Sequence, residues 1–296
     1  MKIGICTIDF EKIYKALPAD ELFAKIKNLG FEVVQLSFPP IKELGFVSTA
    51  QFEIPDKISG SIIQIINDAS KKYDIPVVAC NGTFNMAHPD ISVRDEGIQR
   101  FEVIADTAKK LGCSMISLCT GTRCKNHMWT YHEDNNTPQA WTDMIYTVRK
   151  AAAIAEKYDI FIIAETEASN IVNTPEKARK MMDEVKSPKL KMIMDCANLF
   201  QAGEAKKDNV TSVITHAFEV FGRDVVSAHG KDIQESEGIK FCATGEGIVD
   251  YKLFIELLNK YGFIGDMILH GISDEEKMVN GIGIIKSLAD FSHIVL

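Results

Sequence analysis

The sequence lacks the long apolar segments by which proteins enter or cross a membrane. Its 296 residues contain no run of about 18 consecutive apolar residues, the length that a spanning helix needs. The chain begins with MKIGICTIDF, which reads as a strand and has neither the basic nor the long apolar region of a secretory signal. We therefore expect a cytoplasmic protein with no membrane partner.

Positive charge is also in short supply. The chain has 33 lysines and arginines against 41 aspartates and glutamates, which gives a net charge of -8. Because such a protein repels a phosphate backbone, we do not expect nucleic acid as a partner. The glycines form neither a P-loop nor a dinucleotide-binding GxGxxG pattern, so nucleotide-binding folds of those types are not indicated.

The cysteines lack the pairing of a structural or redox motif. They are seven in number and none forms a CxxC pair, so neither a zinc ribbon nor a thioredoxin-like site is indicated. Most lie in or beside apolar runs, where cysteine behaves as a small hydrophobic residue. This usage is typical of a reducing compartment and argues against a disulfide framework.

One pattern is repeated along the chain. A helical stretch ends in a basic or polar turn, then comes Gly or Asp, then a short apolar run rich in β-formers. Lysine in the last turn suits the helix dipole, glycine tolerates a left-handed cap, and the apolar run is typical of a buried parallel strand. Copies of the pattern occur at 27–31, 71–75, 109–113, 156–160 and 259–263.

Eight apolar runs can be counted, and we expect one helix in each gap between them. The runs begin near Lys2, Val33, Val77, Met115, Phe161, Lys191, Val225 and Met267. Alternation of strand and helix predicts a parallel sheet, and eight units predict a closed barrel. The sequence thus predicts an α/β fold, a (β/α)8 TIM barrel, as a single domain over residues 1–296.

Two connections are much longer than the others. One covers residues 37–59, after the second strand, and the other covers residues 121–137, after the fourth. Both follow the carboxyl end of a strand, where the active sites of such barrels are built, and long loops there often act as lids. We expect the second loop to close over the substrate, because it carries Arg123 and Trp129.

Ligand-type side chains follow four successive strands. Glu165, Asp195, His229 and His270 come at the ends of the fifth to eighth strands. A single Asp or His in such a place is usually a cap or a surface group, but four in succession at one end of a barrel indicate a metal site. Two carboxylates and two imidazoles favour Mn, Zn, Co or Fe over Mg, so we predict one such divalent ion.

Other polar residues near the strand ends are candidates for substrate binding. Asn85 and His88 could bind hydroxyl groups, although turn chemistry explains the same residues equally well. Lys231 could stabilise an enolate or bind phosphate, or it could be an ordinary surface lysine. Asp250 is expected to cap the helix that follows it.

At these strand ends the sequence resembles the xylose isomerase-like TIM barrel superfamily, which includes the sugar phosphate isomerases/epimerases and the endonuclease IV-like proteins. The matching pieces are Glu165, Asp195 in Asp-Cys-Ala-Asn, His229 in His-Gly-Lys-Asp, and the Gly-x-Gly-x-x-Asp loop over 245–250. The resemblance covers nearly the whole chain. It implies a metal-dependent enzyme of carbohydrate metabolism.

Two departures from the superfamily pattern bear on mechanism. Epimerases of this group usually carry a second glutamate on the eighth strand, where this chain has His270, and a histidine three residues after the sixth-strand aspartate, where it has Asn198. The two-glutamate exchange of protons is therefore in question. The endonuclease members bind three zincs through many more histidines, so seven in the whole chain speak against a trinuclear site.

The sequence favours an isomerase or epimerase acting on a sugar or sugar phosphate. Glu165 is the predicted base and ligand, and His270 or His88 the second acid/base, with Glu167 next in line. The expected substrate contacts are Asn85, Arg123, Trp129 and Lys231. A keto-sugar dehydratase would begin with the same proton abstraction, so it stays open. An endonuclease IV-like hydrolase and a non-catalytic sugar-binding barrel are further alternatives, and a homo-oligomer is also open.

Overall fold

A closed barrel of eight parallel strands forms the centre of the molecule. The computed structural model describes residues 1–292, so the last four residues of the predicted domain lie outside the described part. Numbered in chain order with a separate two-stranded ribbon formed by β8 and β9, the strands are β1 (Ile3–Cys6), β2 (Val33–Leu36), β3 (Val77–Asn81), β4 (Met115–Cys119), β5 (Phe161–Glu165), β6 (Leu190–Asp195), β7 (Val225–Gly230), β8 (Asp232–Ile233), β9 (Phe241–Cys242) and β10 (Met267–Leu269). Around the barrel the order is β1-β10-β7-β6-β5-β4-β3-β2, which confirms the predicted (β/α)8 TIM barrel.

Helices connect the strands. They are α1 (Ile8–Tyr14), α2 (Ala19–Leu29), α3 (Gly60–Tyr73), α4 (Ile91–Lys110), α5 (Pro138–Tyr158), α6 (Pro175–Val185), α7 (Val210–Phe221), α8 (Tyr251–Lys260) and α9 (Glu275–Ser292). Short 3-10 segments lie at Glu133–Asn136, Cys196–Leu199, Lys207–Asn209 and Gly222–Asp224. Within residues 1–292, no helix is both long enough and apolar enough to cross a membrane.

Local sequence signals account for most helix boundaries. The hydroxyls of Thr137 and Thr174 accept hydrogen bonds from the amides of Ala140 and Lys177, and each threonine is followed by proline in the first turn. The carboxylate of Asp250 accepts the amide of Leu253 at 3.0 Å and so caps α8. These bonds satisfy amides that the first helical turn leaves without a partner.

The expectation of one helix in each gap is wrong for the first gap. Two helices, α1 and α2, lie between β1 and β2. Helix α1 is only seven residues long, too short for its hydrophobic period to be recognised. The ribbon of β8 and β9, which separates β7 from β10, was also not predicted, because two-residue strands carry no readable alternation.

The barrel interior changes character along its axis. Side chains alternate along a strand, so one set packs against the helices and the other fills the barrel. Ala79, Ile163 and Ile193 form a small buried cluster separate from the main core. Gln35 and Ser117 are also buried, and the Gln35 amide donates to the Ser117 hydroxyl at 3.3 Å. Polar groups are therefore positioned beneath the carboxyl ends of the strands.

Asp232 organises the loop that follows β7. Its side chain is fully buried, and its carboxylate accepts the backbone amides of Ile233, Gly245, Gly247 and Val249 at 2.8 to 3.0 Å. The Gly-x-Gly-x-x-Asp segment therefore wraps around one carboxylate. This arrangement fixes the end of β7.

We expect Asp232→Ala to lower the free energy of unfolding by about 4 kcal/mol, because four amides lose their acceptor at roughly 1 kcal/mol each. The control is Asp250→Ala, which removes one exposed helix cap and should cost about 1 kcal/mol. Urea denaturation of both variants checks this. Equal losses in the two variants would contradict the account of the loop.

Candidate active site

Three strands bring one ligand-type side chain each to the same point. Glu165 is the last residue of β5, Asp195 the last of β6, and His229 lies opposite Asp195 in the β6–β7 register. One donor atom from each lies within 4.8 Å of the other two. Three of the four side chains predicted for the metal site therefore lie close enough together to hold a metal ion.

The two oxygens of Asp195 have different surroundings. Its Oδ1 accepts the amides of Ala197 at 3.0 Å and Asn198 at 3.3 Å and so begins the 3-10 turn Cys196–Leu199. Its Oδ2 is buried without a hydrogen bond, although the Lys231 ammonium lies 3.2 Å away. The turn thus fixes the carboxylate with one oxygen directed at the cluster.

The imidazole of His229 is oriented from behind. Its Nε2 lies 3.1 Å from Gln35 Oε1, which can only accept, so the proton is on Nε2. In the neutral ring, which is the form that binds a metal, Nδ1 then has a free lone pair; this atom is buried without a hydrogen bond and lies 3.3 Å from Glu165 Oε1. An imidazole held this way by an outer partner is the usual arrangement of a metal ligand.

These atoms fit a divalent cation. A buried carboxylate oxygen and a buried imidazole nitrogen without hydrogen-bond partners cost free energy unless something binds them. In the metal-free chain the negative charges of Asp195 and Glu165 repel each other, and both carboxylates lie close to the His229 ring. Burial lowers the pKa of His229, but the carboxylates of Glu165 and Asp195 outweigh burial and raise it to about 9. The mixed N/O set suits a first-row transition ion.

Lys231 and Asn198 complete the floor of the site. The Lys231 ammonium donates to Asn198 Oδ1 at 2.6 Å, and Asn198 Nδ2 donates to Glu165 Oε1 at 2.6 Å. Burial lowers the pKa of Lys231, but the charges of Asp195 and Glu165 outweigh it and raise that pKa. The alternative of an ordinary surface lysine is wrong, since Lys231 is 5% exposed.

The cluster opens into a cavity of about 960 Å³ at the carboxyl end of the barrel. Its polar lining includes Glu165, Glu167, Asn198, Lys231 and His270. Volumes of roughly 300 to 1,000 Å³ are typical of small-molecule sites. Most of these polar groups follow the carboxyl ends of barrel strands, where the active sites of barrel enzymes are built.

The matching family profile covers residues 23–288 and is described as a xylose isomerase-like TIM barrel. The chain belongs to the xylose isomerase-like TIM barrel family. The resemblance inferred from the strand ends is confirmed by this match.

Several enzymes with established names are similar to this chain in sequence or in fold. L-ribulose-5-phosphate 3-epimerase UlaE of Escherichia coli is 22% identical over 260 residues, which is 86% of this chain and 84% of the relative. A D-tagatose 3-epimerase-like protein superposes with a TM-score of 0.74 at 15% identity, covering 98% of both chains. The probable 3-DHS dehydratase AsbF of Bacillus anthracis superposes with a TM-score of 0.73 at 14% identity, covering 97% of this chain and 99% of the other.

In this xylose isomerase-like barrel, His270 lies beside the three-donor cluster and not within it. Its ring is 5.6 Å from that of His229, and its side chain is 28% exposed towards the cavity. Its Nδ1 is buried, 3.9 Å from Asp9 Oδ1. Burial, with the nearby charges of Lys231 and His229, holds the pKa of His270 well below its usual value. The ring is therefore a neutral imidazole at the cavity wall.

Glu167 has a more central position than the sequence analysis indicates, which names it only as a reserve proton carrier. It lines the cavity and is 9% exposed. Burial raises its pKa to about 7 against the opposing charge of Lys231. The signal was the i, i+2 spacing from Glu165, which places two carboxylates on the same side of an extended segment.

Three predicted site residues lie away from the cavity lining. The His88 Nδ1 accepts the amide of Asp90 at 3.1 Å, as turn chemistry does. The Asn85 side chain accepts the Thr122 amide at 2.9 Å and links two loops. Arg123 pairs with Asp143 at 2.8 Å. The geometry gives these three side chains a role in holding the loops.

The two long loops meet over the barrel. Trp129, in the loop after β4, lines the cavity, and its Nε1 donates to Glu53 Oε1 in the loop after β2 at 2.8 Å. The Met128 amide donates to the Ala50 carbonyl at 2.9 Å. The loop over 121–137 therefore forms part of the cavity wall, tied to its neighbour by direct bonds.

Proposed function

We propose that the chain is a metal-dependent sugar isomerase or epimerase, in which a proton moves next to a carbonyl or hydroxyl carbon of the substrate. The observation that carries the proposal is the pair of buried, unbonded atoms Asp195 Oδ2 and His229 Nδ1 beside Glu165. Glu165 lines the cavity of about 960 Å³, and it lines a smaller neighbouring cavity together with His229. The naming of UlaE and other relatives as epimerases supports the reaction class.

Glu165, Asp195 and His229 would hold the ion. When bound there, a divalent metal supplies polarisation of a substrate carbonyl oxygen, which acidifies the neighbouring C–H. The donor set of one imidazole and two carboxylates favours Mn, Zn, Co or Fe over Mg.

Different residues of the chain are assigned to the two proton transfers. Glu165 is assigned to remove the proton, held in place by Asn198 at 2.6 Å. His270, in the wall of the cavity, is assigned as the second acid/base, with Glu167 as the alternative carrier. Lys231 presents a fixed positive charge to an oxygen that gains negative charge. Trp129 excludes water from the inner cavity.

The dehydratase reading is the second candidate. It is supported by the position of His270, since an imidazole stands where two-glutamate epimerases have their second carboxylate, and by the likeness to AsbF. The hydrolase reading has less support, because a single three-donor cluster is found among residues 1–292. Cytoplasmic location and a homo-oligomer stay predictions.

Solvent exchange separates these reactions. The Mn-loaded protein is incubated with a panel of ketoses in D2O, and the products are followed by NMR. Deuterium at one carbon of a recovered sugar supports isomerisation or epimerisation, and loss of water supports the dehydratase. Sugar binding with neither deuterium exchange nor loss of water would contradict both reactions and favour a non-catalytic sugar-binding barrel.

We expect Trp129 to report closure of the loop over 121–137. The chain has two tryptophans, and Trp141 is remote, bonded to Glu184 on α6. In a Trp141→Phe background, saturating sugar should change the fluorescence, and Trp129→Ala should raise KM about tenfold through lost contact area. An unchanged fluorescence of the Trp141→Phe protein at saturating sugar, or an unchanged KM in Trp129→Ala, would contradict closure.

A further inference from the structure

The smaller cavity beside the candidate metal ligands has a volume of about 50 Å³. Glu53, from the long loop after β2, lines it together with Glu165 and His229. Four residues line this cavity and also the cavity of about 960 Å³: Cys119, Trp129, Glu165 and His270. A water molecule takes up about 30 Å³ in the liquid, so the smaller cavity can receive one hydroxymethyl group of a ligand.

The lining of the smaller cavity suits an uncharged polar group. Its further polar side chains are Gln35, Ser37, Asn81, Thr83 and Ser117. Within residues 1–292 its lining includes no lysine or arginine, and the Gln35 amide already donates to the Ser117 hydroxyl at 3.3 Å. A hydroxyl group both donates and accepts hydrogen bonds, so it matches such side chains, whereas an anion depends on donors and cations.

Glu53 keeps a negative charge at this cavity. Its Oε1 accepts the Trp129 indole N–H at 2.8 Å, and its Oε2 accepts the Asn81 amide at 3.1 Å. Asn81 is oriented by its Oδ1, which accepts the Thr83 amide at 3.0 Å. Burial raises the pKa of Glu53, and the bonds from Trp129 and Asn81 counter part of that increase. Both donors are neutral, so they stabilise the carboxylate without cancelling its charge.

A metal ion in the three-donor cluster would not neutralise Glu53. A divalent ion held by Glu165, Asp195 and His229 offsets the two carboxylates of that cluster, to which Glu53 does not belong. A carboxylate has about four lone-pair positions, and the two bonds to Glu53 use two of them. Glu53 can therefore accept a hydroxyl group of a ligand, and it repels a negative group in the same cavity.

We propose that Glu53 is a specificity-determining residue, which accepts a hydroxyl group from the substrate end beside the carbonyl and excludes substrates with a carboxylate at that end. That the ligand is a substrate rests on the proposed function. The end beside the carbonyl is assigned to the smaller cavity because Glu165 and His229, which would hold the ion that polarises the carbonyl, line it.

Three ligands that differ in one carboxylate test the proposal with the Mn-loaded protein. They are the ketohexose that binds most tightly, the same sugar with a carboxylate at carbon 1, and the same sugar with a carboxylate at carbon 6; for fructose, the acids are 2-keto-D-gluconate and D-fructuronate. In calorimetry the carbon-1 acid should bind at least about tenfold more weakly than the carbon-6 acid. Equal binding of the two acids, or no binding of any of the three ligands, overturns the proposal.

Glu53→Gln tests the charge itself. Glutamine retains the size of the side chain and one acceptor oxygen for Trp129 Nε1, and circular dichroism establishes that the variant is folded. The affinity of the carbon-1 acid relative to the ketohexose should rise at least about tenfold. Glu43→Gln, at an exposed glutamate of the same loop that accepts the Ala19 amide, should leave this ratio unchanged. The same ratio in wild-type and folded Glu53→Gln proteins overturns the proposal.

Trp129→Phe distinguishes the charge of Glu53 from a role in holding the indole. The variant loses the indole donor and keeps the carboxylate, so it should still bind the carbon-1 acid at least about tenfold more weakly than the carbon-6 acid. Rejection of the carbon-1 acid that is lost in Trp129→Phe as completely as in Glu53→Gln would make Glu53 a support for Trp129 and overturn the proposal.

Failure of the proposed function is recognised separately, because the calorimetric ratios require no turnover. Ligands that bind with neither deuterium exchange nor loss of water contradict the reaction, and their affinities still decide the role of Glu53. Where the ketohexose is turned over, its kcat/KM should exceed that of the carbon-1 acid at least about tenfold. Equal kcat/KM values for the two ligands overturn the role of Glu53 and leave the proposed function standing.

Discussion

Asp195→Asn is expected to release the divalent metal and to lower kcat/KM at least about a thousandfold. The substitution replaces the anionic oxygen that faces the cluster with a neutral amide, while Oδ1 can still accept the amides of Ala197 and Asn198. Loss of Lewis-acid stabilisation is worth several kcal/mol in such sites, which corresponds to this loss of rate. Metal analysis of the dialysed protein, with kinetics on the same samples, measures both quantities.

The controls separate metal loss from unfolding. His229→Gln should behave as Asp195→Asn does, whereas His216→Gln, at an exposed histidine paired with Glu176 on the surface, should keep metal and activity. Circular dichroism establishes that each variant is folded. Full metal content in folded Asp195→Asn and His229→Gln proteins would rule out the proposed metal centre.

His270→Gln is expected to keep the metal and to lose at least about a hundredfold in kcat, the usual order for a lost general acid or base. The ring lies 5.6 Å from His229, outside the three-donor cluster, so its removal leaves the ligands in place. Glutamine retains a similar size and one hydrogen-bonding end, which isolates the loss of the imidazole. Metal analysis and steady-state kinetics together decide the role.

Glu167→Gln is the matched comparison for His270→Gln. If His270 is the second proton carrier, the glutamate variant should lose much less in kcat than the histidine variant. A larger loss in Glu167→Gln would transfer the role to that carboxylate. Loss of metal from His270→Gln would make the histidine a ligand, and unchanged kcat in that variant would contradict the assignment.

The barrel was predictable because its signals are local and repeated. Each buried strand is a short apolar run after a basic turn, so the starts at Val33, Val77, Met115 and Phe161 agree with the structure to the residue. Helix α1 was not predicted, because seven residues contain fewer than two full hydrophobic periods. The ribbon of β8 and β9 depends on the buried carboxylate of Asp232, a tertiary effect that no sequence window contains.

Site residues at the ends of strands could be predicted from the sequence, whereas the positions of residues in loops could not. Glu165, Asp195 and His229 share a level because parallel strands align their carboxyl ends. His88 and Arg123 lie in two loops that are joined to each other by long-range bonds, such as that from the Arg123 guanidinium to the Ala87 carbonyl, and neither side chain lines the cavity. Gln35, which orients His229 from 194 positions away, had no sequence signal.

The metal centre is tested most directly by the anomalous diffraction of a crystal soaked in Mn²⁺. The account predicts one peak bound by Glu165, Asp195 Oδ2 and His229 Nδ1, with the Lys231 ammonium moved from its 3.2 Å contact with Asp195. A fully soaked crystal with no peak at these atoms, or with Lys231 still paired to Asp195 and the ion elsewhere, would contradict it.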